Sequence, residues 1–212
     1  MNEFWLNKWE SKEIGFHQNR VHNLLSKYKD FFSSASSSKD YILVPLCGKS
    51  LDLIYLASLG LNVVGVELSS IACEEFFSEN KIEFSKTQKS YWIEYTSSQI
   101  TIICGDIFEI DFSQYQFHYL YDRASLIALN TNLRAKYISL IKKLKVSNQL
   151  IITLEFDSES GPPFSISDKD ITLYYGDEYS IETKEIIDLP IEVHKDKITT
   201  LKENLFYLRL KN

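Results

Sequence analysis

Residues 41–66 read YILVPLCGKSLDLIYLASLGLNVVGV, and this stretch decides the fold. The apolar run at 41–45 is typical of a buried strand. Apolar side chains then recur at helical spacing over 51–59, and Gly60 ends the predicted helix. A second apolar run follows at 62–66, so the stretch predicts a strand, a helix and a second, parallel strand.

The same alternation of strand and helix continues along the chain. Helical patterns cover 18–32, 69–79, 133–144 and 168–175. Strand patterns cover 91–97, 99–104, 117–121, 149–155, 179–187 and 199–209, and the Ser-rich stretch Ser33–Ser38 is interpreted as a loop. These patterns predict one α/β domain over 1–212, with a mostly parallel Rossmann-like sheet, helices on both faces and an antiparallel C-terminal edge.

Composition limits the class of protein and its partners. The 212 residues carry a net charge of −6 without a basic run, which disfavours nucleic acid and favours a small-molecule substrate. No apolar run approaches the roughly 18 residues of a membrane span, so no membrane partner is expected. The three cysteines lack metal-ligand spacing and no signal peptide is recognised, which predicts a cytoplasmic protein without a metal. No exposed heptad stands out, and a monomer is predicted.

Residues that can carry chemistry follow the predicted strands, at the edge where such sheets bind ligands. A turn with a single glycine, Gly48, follows the first strand, and Glu67 stands at the ribose-binding position after the second. Asp106 follows the strand at 99–104, where a carboxylate can meet an adenine amino group. Arg123 follows the strand at 117–121, where a guanidinium can hold a carboxylate or an anionic substrate.

This order of residues predicts a nucleoside site, which a nicotinamide enzyme and a methyltransferase would share. The turn at 45–50 lacks the further glycines that let GxGxxG and Walker loops approach a phosphate closely. S-adenosylmethionine contains no phosphate, so the turn favours this methyl donor over a nicotinamide dinucleotide. A nicotinamide-dependent oxidoreductase and a non-catalytic nucleoside-binding module are the alternatives from other classes.

Several longer motifs give the chain a family resemblance. They are FW at 4–5, IGFH at 14–17, VPLCGKSLD at 44–52, VVGVELS at 63–69, DIF at 106–108, DRASLIALN at 122–130 and GPPF at 161–164. On these residues the chain resembles the thiopurine S-methyltransferase family, in its short bacterial form, over nearly its whole length. Tyr121 and Ala124 depart from the family, which often has Trp and Gly at these positions.

The resemblance implies a class I fold that uses S-adenosylmethionine and no metal. It implies a set of cofactor-binding residues, namely Trp9, Leu46, Glu67, Asp106, Ile107 and Arg123. Residues 1–32 would form a cover segment and helix over the active site, in which Trp5, Phe16 and His17 are predicted to bind substrate. Arg123 is the predicted catalytic residue, because it would favour an anionic thiolate, and His17 is a candidate proton acceptor.

The activity implied by the resemblance is transfer of a methyl group from S-adenosylmethionine to sulfur, with S-adenosylhomocysteine as product. The implied acceptors are thiopurines or similar small aromatic or heterocyclic thiols. Other soft nucleophiles, such as selenium or tellurium oxyanions, halide or sulfide, would suit a similar pocket. The sequence leaves the choice among these acceptors open.

Overall fold

The computed structural model describes residues 1–33, 41–158, 160–191 and 198–211. These residues fall into two compact units, Met1–Phe117 and His118–Asn212, which are described separately. Apart from Ser33, the predicted loop Ser33–Ser38 lies outside the described residues. The prediction of one domain over 1–212 stays a prediction.

The first unit contains five strands in the spatial order β3-β4-β5-β2-β1. Their bounds are Tyr41–Val44 for β1, Asn62–Glu67 for β2, Ser85–Gln88 for β3, Ile93–Thr96 for β4 and Ile100–Cys104 for β5. Strand β2 pairs in parallel with β1 and β5, whereas β3, β4 and β5 pair antiparallel. Since β1, β2 and β5 run the same way, their carboxyl ends meet at one edge, which we call the carboxyl edge (residues 45–48, 67–69 and 105–107).

The helices of the first unit follow most of the predicted pattern. They are α1 (Asn2–Glu10), α2 (Asn23–Lys27), α3 (Asp52–Ser58) and α4 (Ser70–Glu79), with 3-10 helices at Lys29–Phe32 and Ile107–Glu109. The hydroxyl of Ser69 accepts a hydrogen bond from the amide of Ala72 and caps α4. Three elements of the first unit, namely α1, β3 and the 3-10 helix Ile107–Glu109, were not predicted.

The prediction of a continuous helix over 18–32 is wrong. Its first five residues are not helical, and α2 begins only after His22. The amide of His22 donates a hydrogen bond to the buried carboxylate of Asp52 at 2.8 Å, which holds the chain extended there. At Tyr28 the backbone leaves the α-helical region, and the chain continues as a 3-10 helix.

The second unit contains four strands in the order β6-β7-β9-β8. Their bounds are Phe117–Asp122 for β6, Asn148–Phe156 for β7, Tyr179–Asp188 for β8 and Leu201–Leu210 for β9. The helices are α5 (Ser125–Ala128), α6 (Thr131–Lys143) and α7 (Asp168–Tyr175). Strands β6 and β7 are parallel, and β9 pairs antiparallel with both β7 and β8. The predicted α/β class, with parallel strands and an antiparallel C-terminal edge, is therefore confirmed.

The three cysteines behave as small buried side chains. Cys47, Cys73 and Cys104 are all buried and none forms a disulfide. Within the described ranges, no helix combines the length and the apolarity needed to cross a bilayer.

Candidate active site

The turn after β1 has an unusual backbone. Leu46 and Gly48 have φ angles of 49° and 54°, in the left-handed region that residues other than glycine rarely adopt. A β-carbon at Gly48 would stand 3.2 Å from Cζ2 of Trp9, so the indole packs directly on this glycine. Both the backbone angle and the close indole favour glycine at 48.

Glu67 ends β2 and lies at the centre of the carboxyl edge. Its side chain is only 7% exposed. Oε2 accepts a hydrogen bond from the amide of Gly48 at 2.9 Å, and Oε1 accepts one from the amide of Ser69 at 2.7 Å. Burial raises the pKa of Glu67, and these backbone bonds only partly oppose that effect.

Asp106 follows β5 at the same edge and is half-buried. Oδ1 accepts from the amide of Phe108 at 3.0 Å and starts the 3-10 helix, whose first residue, Ile107, is buried. Oδ2 accepts from the side-chain amide of Asn2 at 2.8 Å. The amide of Gly105 donates to the backbone carbonyl of Glu67 at 2.9 Å, which joins the two acidic corners.

Helix α1 and the residues after it bring an aromatic cluster to the carboxyl edge. The ring of Phe16 makes edge contacts with Trp5 and Trp9, at centroid distances of 5.4 and 5.5 Å. Trp9 is buried against Gly48, whereas Phe16 is 44% exposed and Trp5 and His17 are half-buried. The contacts of Trp9 with Gly48 and of Asn2 with Asp106 place α1 at this edge.

Another acidic corner, this one in the second unit, ends β6. Asp122 is 1% exposed, and its Oδ1 accepts from the amide of Ser125 at 2.8 Å. Oδ2 accepts from the hydroxyl of Tyr137 at 2.6 Å. Burial raises the pKa of Asp122, against the effect of these bonds. The half-buried Arg123 lies on the short segment that Asp122 and Ser125 hold.

Most of the predicted site residues meet in the first unit. The carboxyl edge holds Leu46, Glu67, Asp106 and Ile107, and the aromatic cluster around Trp9 adjoins it. Arg123 belongs to the second unit, at the corner after β6. The described residues contain no group of three or more His, Cys, Asp or Glu side chains placed to hold a metal ion.

The sequence did not predict three residues that support the carboxyl edge or the corner at Asp122. Asn2 bonds Asp106, Lys49 bonds two glutamates of α4, and Tyr137 bonds Asp122. All three contacts join residues far apart in the chain, so no local pattern announces them. One signal was available for α1: Trp5 and Trp9 are four residues apart, which is helical spacing.

The fold is shared with solved methyltransferases. Magnesium protoporphyrin IX methyltransferase (ChlM) from Synechocystis PCC 6803, solved with bound SAH, matches with a TM-score of 0.67 at 11% identity, over 100% of both chains. TehB from Haemophilus influenzae matches with a TM-score of 0.63 at 14% identity, over 96% of this chain and 66% of its own. The fold is thus that of the S-adenosylmethionine-dependent methyltransferases, as predicted.

Sequence comparison identifies the family. The family model for thiopurine S-methyltransferase matches residues 1–211. The thiopurine S-methyltransferase of Pseudomonas fluorescens (strain SBW25) is 37% identical over 97% of both chains, and that of Nitrosomonas eutropha is 39% identical over 89% of this chain and 87% of its own. The chain therefore belongs to the thiopurine S-methyltransferase family. The resemblance, the methyltransferase class and S-adenosylmethionine as cofactor are confirmed.

Proposed function

We propose that this protein transfers a methyl group from S-adenosylmethionine to the sulfur of a thiopurine or a similar small aromatic or heterocyclic thiol. The observation that carries the proposal is the carboxylate of Glu67, buried at the end of β2 and held by two backbone amides. The names of the relatives support the choice of acceptor. The exposed ring of Phe16, flanked by two indoles, offers a flat apolar surface for a planar acceptor.

The residues present fit S-adenosylmethionine. A carboxylate offers about four lone-pair positions, and the amides of Gly48 and Ser69 do not saturate Glu67. The remaining positions suit the two vicinal hydroxyls of a ribose, since a charged acceptor strengthens both bonds. The residues proposed to hold the cofactor are Trp9, Leu46, Glu67, Asp106, Ile107 and Arg123.

The chain's own residues then have limited chemistry to perform. Bound S-adenosylmethionine supplies a methyl group already activated by the positive sulfonium. The acceptor sulfur would gain the methyl group as the bond between that methyl group and the sulfonium sulfur breaks, which leaves S-adenosylhomocysteine. A neutral thiol would also lose a proton, for which His17 is the proposed acceptor. Arg123 is proposed to favour the thiolate form, and Trp5 and Phe16 to wall the acceptor and exclude water. Most of the rate would come from alignment of the two sulfur atoms with the methyl carbon.

The proposal includes the setting in which the protein works. We propose a cytoplasmic monomer in which 1–212 act as one domain and 1–32 cover the active site. It acts on a small molecule and binds neither nucleic acid nor a membrane. The net charge of −6 and the absence of a basic run support this choice of partner.

The test is to mix the protein with S-adenosylmethionine and 6-mercaptopurine and to follow the S-methyl product. Product is expected with the wild type and a sharp fall with Glu67→Ala. Glu178→Ala is the matched control, because its carboxylate pairs with Lys145 in the second unit. Absence of product while S-adenosylhomocysteine still raises the melting temperature would reject the thiol acceptor in favour of selenium or tellurium oxyanions, halide or sulfide.

A further inference from the structure

Lys49 is a buried cation next to the glycine that binds Glu67. Its side chain is 8% exposed, and Nζ lies 2.7 Å from Oε2 of Glu75 and 2.7 Å from Oε1 of Glu79. Both glutamates belong to α4. The ammonium therefore joins the turn after β1 to the helix after β2.

The ion pairs keep Lys49 charged in spite of its burial. Burial by itself lowers the pKa of Lys49, but the hydrogen bonds that its ammonium donates to Glu75 and Glu79, together with their negative charges, outweigh this effect and raise the pKa above its usual value. Removing both carboxylates would leave a buried charge without a partner, which is costly. The three side chains thus act as one unit.

The two segments that Lys49 joins are the two that hold Glu67. The amide of Gly48, one residue before Lys49, donates to Oε2 of Glu67. The amide of Ser69, which caps α4, donates to Oε1. If the distance between the turn and α4 changed, the amide of Gly48 and the amide of Ser69 would therefore move relative to each other. The two oxygens of Glu67 would then be pulled in different directions.

We propose that Lys49 is a positioning residue for the methyl donor: with Glu75 and Glu79 it sets the spacing between the turn and α4 that aims the Glu67 carboxylate at the ribose. This inference rests on the proposed role of Glu67. Lys49 itself touches neither the reacting atoms nor, in this assignment, the cofactor. A lysine that only stabilised the fold would leave donor affinity unchanged in every variant that folds.

The first experiment uses the variant Lys49→Met, which lacks the positive charge. Its binding of S-adenosylhomocysteine is measured by calorimetry, well below the melting temperature. A Kd about tenfold weaker is expected, which is the lower end of the loss seen when a residue that supports a metal ligand is removed. The KM for S-adenosylmethionine should rise equally, with kcat within about twofold of the wild type. An unchanged Kd in a folded Lys49→Met protein would overturn the proposal.

Lys142→Met is the matched control. Nζ of Lys142 lies 2.7 and 2.8 Å from the two carboxylate oxygens of Asp177, but this pair belongs to the second unit and to no segment that holds Glu67. It is expected to bind S-adenosylhomocysteine as the wild type does. Equal weakening by Lys142→Met and Lys49→Met would show a general loss of stability and overturn the proposal.

A double-mutant cycle with Glu67→Gln tests whether Lys49 acts through Glu67. In the Glu67→Gln protein, Lys49→Met is expected to weaken binding by less than about threefold, because the contact that it positions is already impaired. A full tenfold loss in both backgrounds would show independent action and overturn the proposal. If Lys49→Met does not fold, Glu79→Ala, which removes one of the two contacts, should weaken binding about threefold, and no change would count against the proposal.

The failure of the proposed function is distinguishable from the failure of this inference. Wild-type protein that does not bind S-adenosylhomocysteine would contradict the role of Glu67 before any Lys49 variant is made. Wild-type binding without methylation of 6-mercaptopurine would contradict the acceptor alone. The calorimetric comparison of Lys49→Met and Lys142→Met needs no acceptor and decides the role of Lys49 in that case too.

Discussion

Glu67 and Asp122 are two buried carboxylates, each at the end of a strand, and they differ in the groups that donate hydrogen bonds to them. Each ends a strand, Glu67 in the first unit and Asp122 in the second, and burial is the main cause of the raised pKa of both. The bonds to Glu67 come from backbone amides alone. Asp122 also receives the hydroxyl of Tyr137 and bonds from both the amide and the side chain of Ser125.

The difference supports the proposed ligand-binding role of Glu67 and a scaffold role for Asp122. Asp122 is saturated by its own chain, so its role is complete in the folded protein and it orders the corner that carries Arg123. Glu67 keeps acceptor capacity that no described side chain uses. Burial and strand position are the same for both residues and do not separate these roles. The hydrogen-bond donors do, because only Asp122 receives side-chain hydroxyls.

The largest effect is expected at Glu67, on binding. Glu67→Ala would remove the two charge-assisted hydrogen bonds that we propose to the ribose, each worth about 1.5–3 kcal/mol. Affinity for S-adenosylhomocysteine should therefore fall about 100-fold or more, as measured by calorimetry. The unfolding free energy should fall less than in Asp122→Ala, because Glu67→Ala also removes a buried carboxylate that loses no side-chain donor and whose burial raises its pKa. A Kd within about threefold of the wild type would contradict the proposed binding of the ribose by Glu67.

Asp122 should show the opposite balance, with a loss of stability. Asp122→Ala leaves the hydroxyl of Tyr137 and the amide of Ser125 buried without an acceptor, which costs about 2–4 kcal/mol of unfolding free energy. Tyr137→Phe removes only the donor and should cost about 1–2 kcal/mol. Urea denaturation measures both. If Asp122→Ala were as stable as the wild type, Asp122 would not be the scaffold residue that its bonds indicate.

The pH dependence of stability should expose the cost of keeping Glu67 charged. Because its pKa is raised from the ordinary value of 4.5, its contribution to stability is present below that value and is lost as pH rises through the folded pKa. Glu67→Gln should therefore gain stability relative to the wild type as the pH rises above 4.5. Urea denaturation across that range is the measurement. A difference that stays flat with pH would contradict a buried, ionised Glu67.

The smallest effects are expected at the two helix caps beside these corners. The hydroxyl of Ser69 caps α4 at 3.4 Å, and the side chain of Asn130 caps α6 at 3.1 Å. Ser69→Ala and Asn130→Ala should each cost about 1 kcal/mol of unfolding free energy. Neither should weaken S-adenosylhomocysteine binding, since Ser69 holds Glu67 with its backbone amide, which alanine keeps. Weakened binding by Ser69→Ala alone would give the Ser69 hydroxyl a role in the site.

Much of the fold and the centre of the site were predictable because their signals are local. Apolar runs mark β1 and β2, and the spacing from the turn to Glu67 follows from the length of one strand–helix–strand unit. The alternation of elements in turn predicted the parallel strands. These features depend on periodicity, which a single sequence displays directly.

The missed elements lack such a signal or depend on distant partners. Strand β3 is four exposed residues, SKTQ, without an apolar alternation, and it exists because β4 offers a pairing edge. The helix expected over 18–32 is interrupted by a bond from His22 to Asp52, thirty residues further on. The contacts of Asn2 and Lys49 are likewise made only when the chain has folded.

The left-handed backbone of Leu46 has a consequence for anyone who evolves this protein in the laboratory. A leucine at a φ of 49° costs about 1–2 kcal/mol that glycine would avoid. A library sorted only for survival at high temperature would thus enrich glycine at 46 and discard the side chain beside the proposed cofactor. Selection for heat resistance would have to be alternated with selection for turnover, or the winners would be durable and inactive.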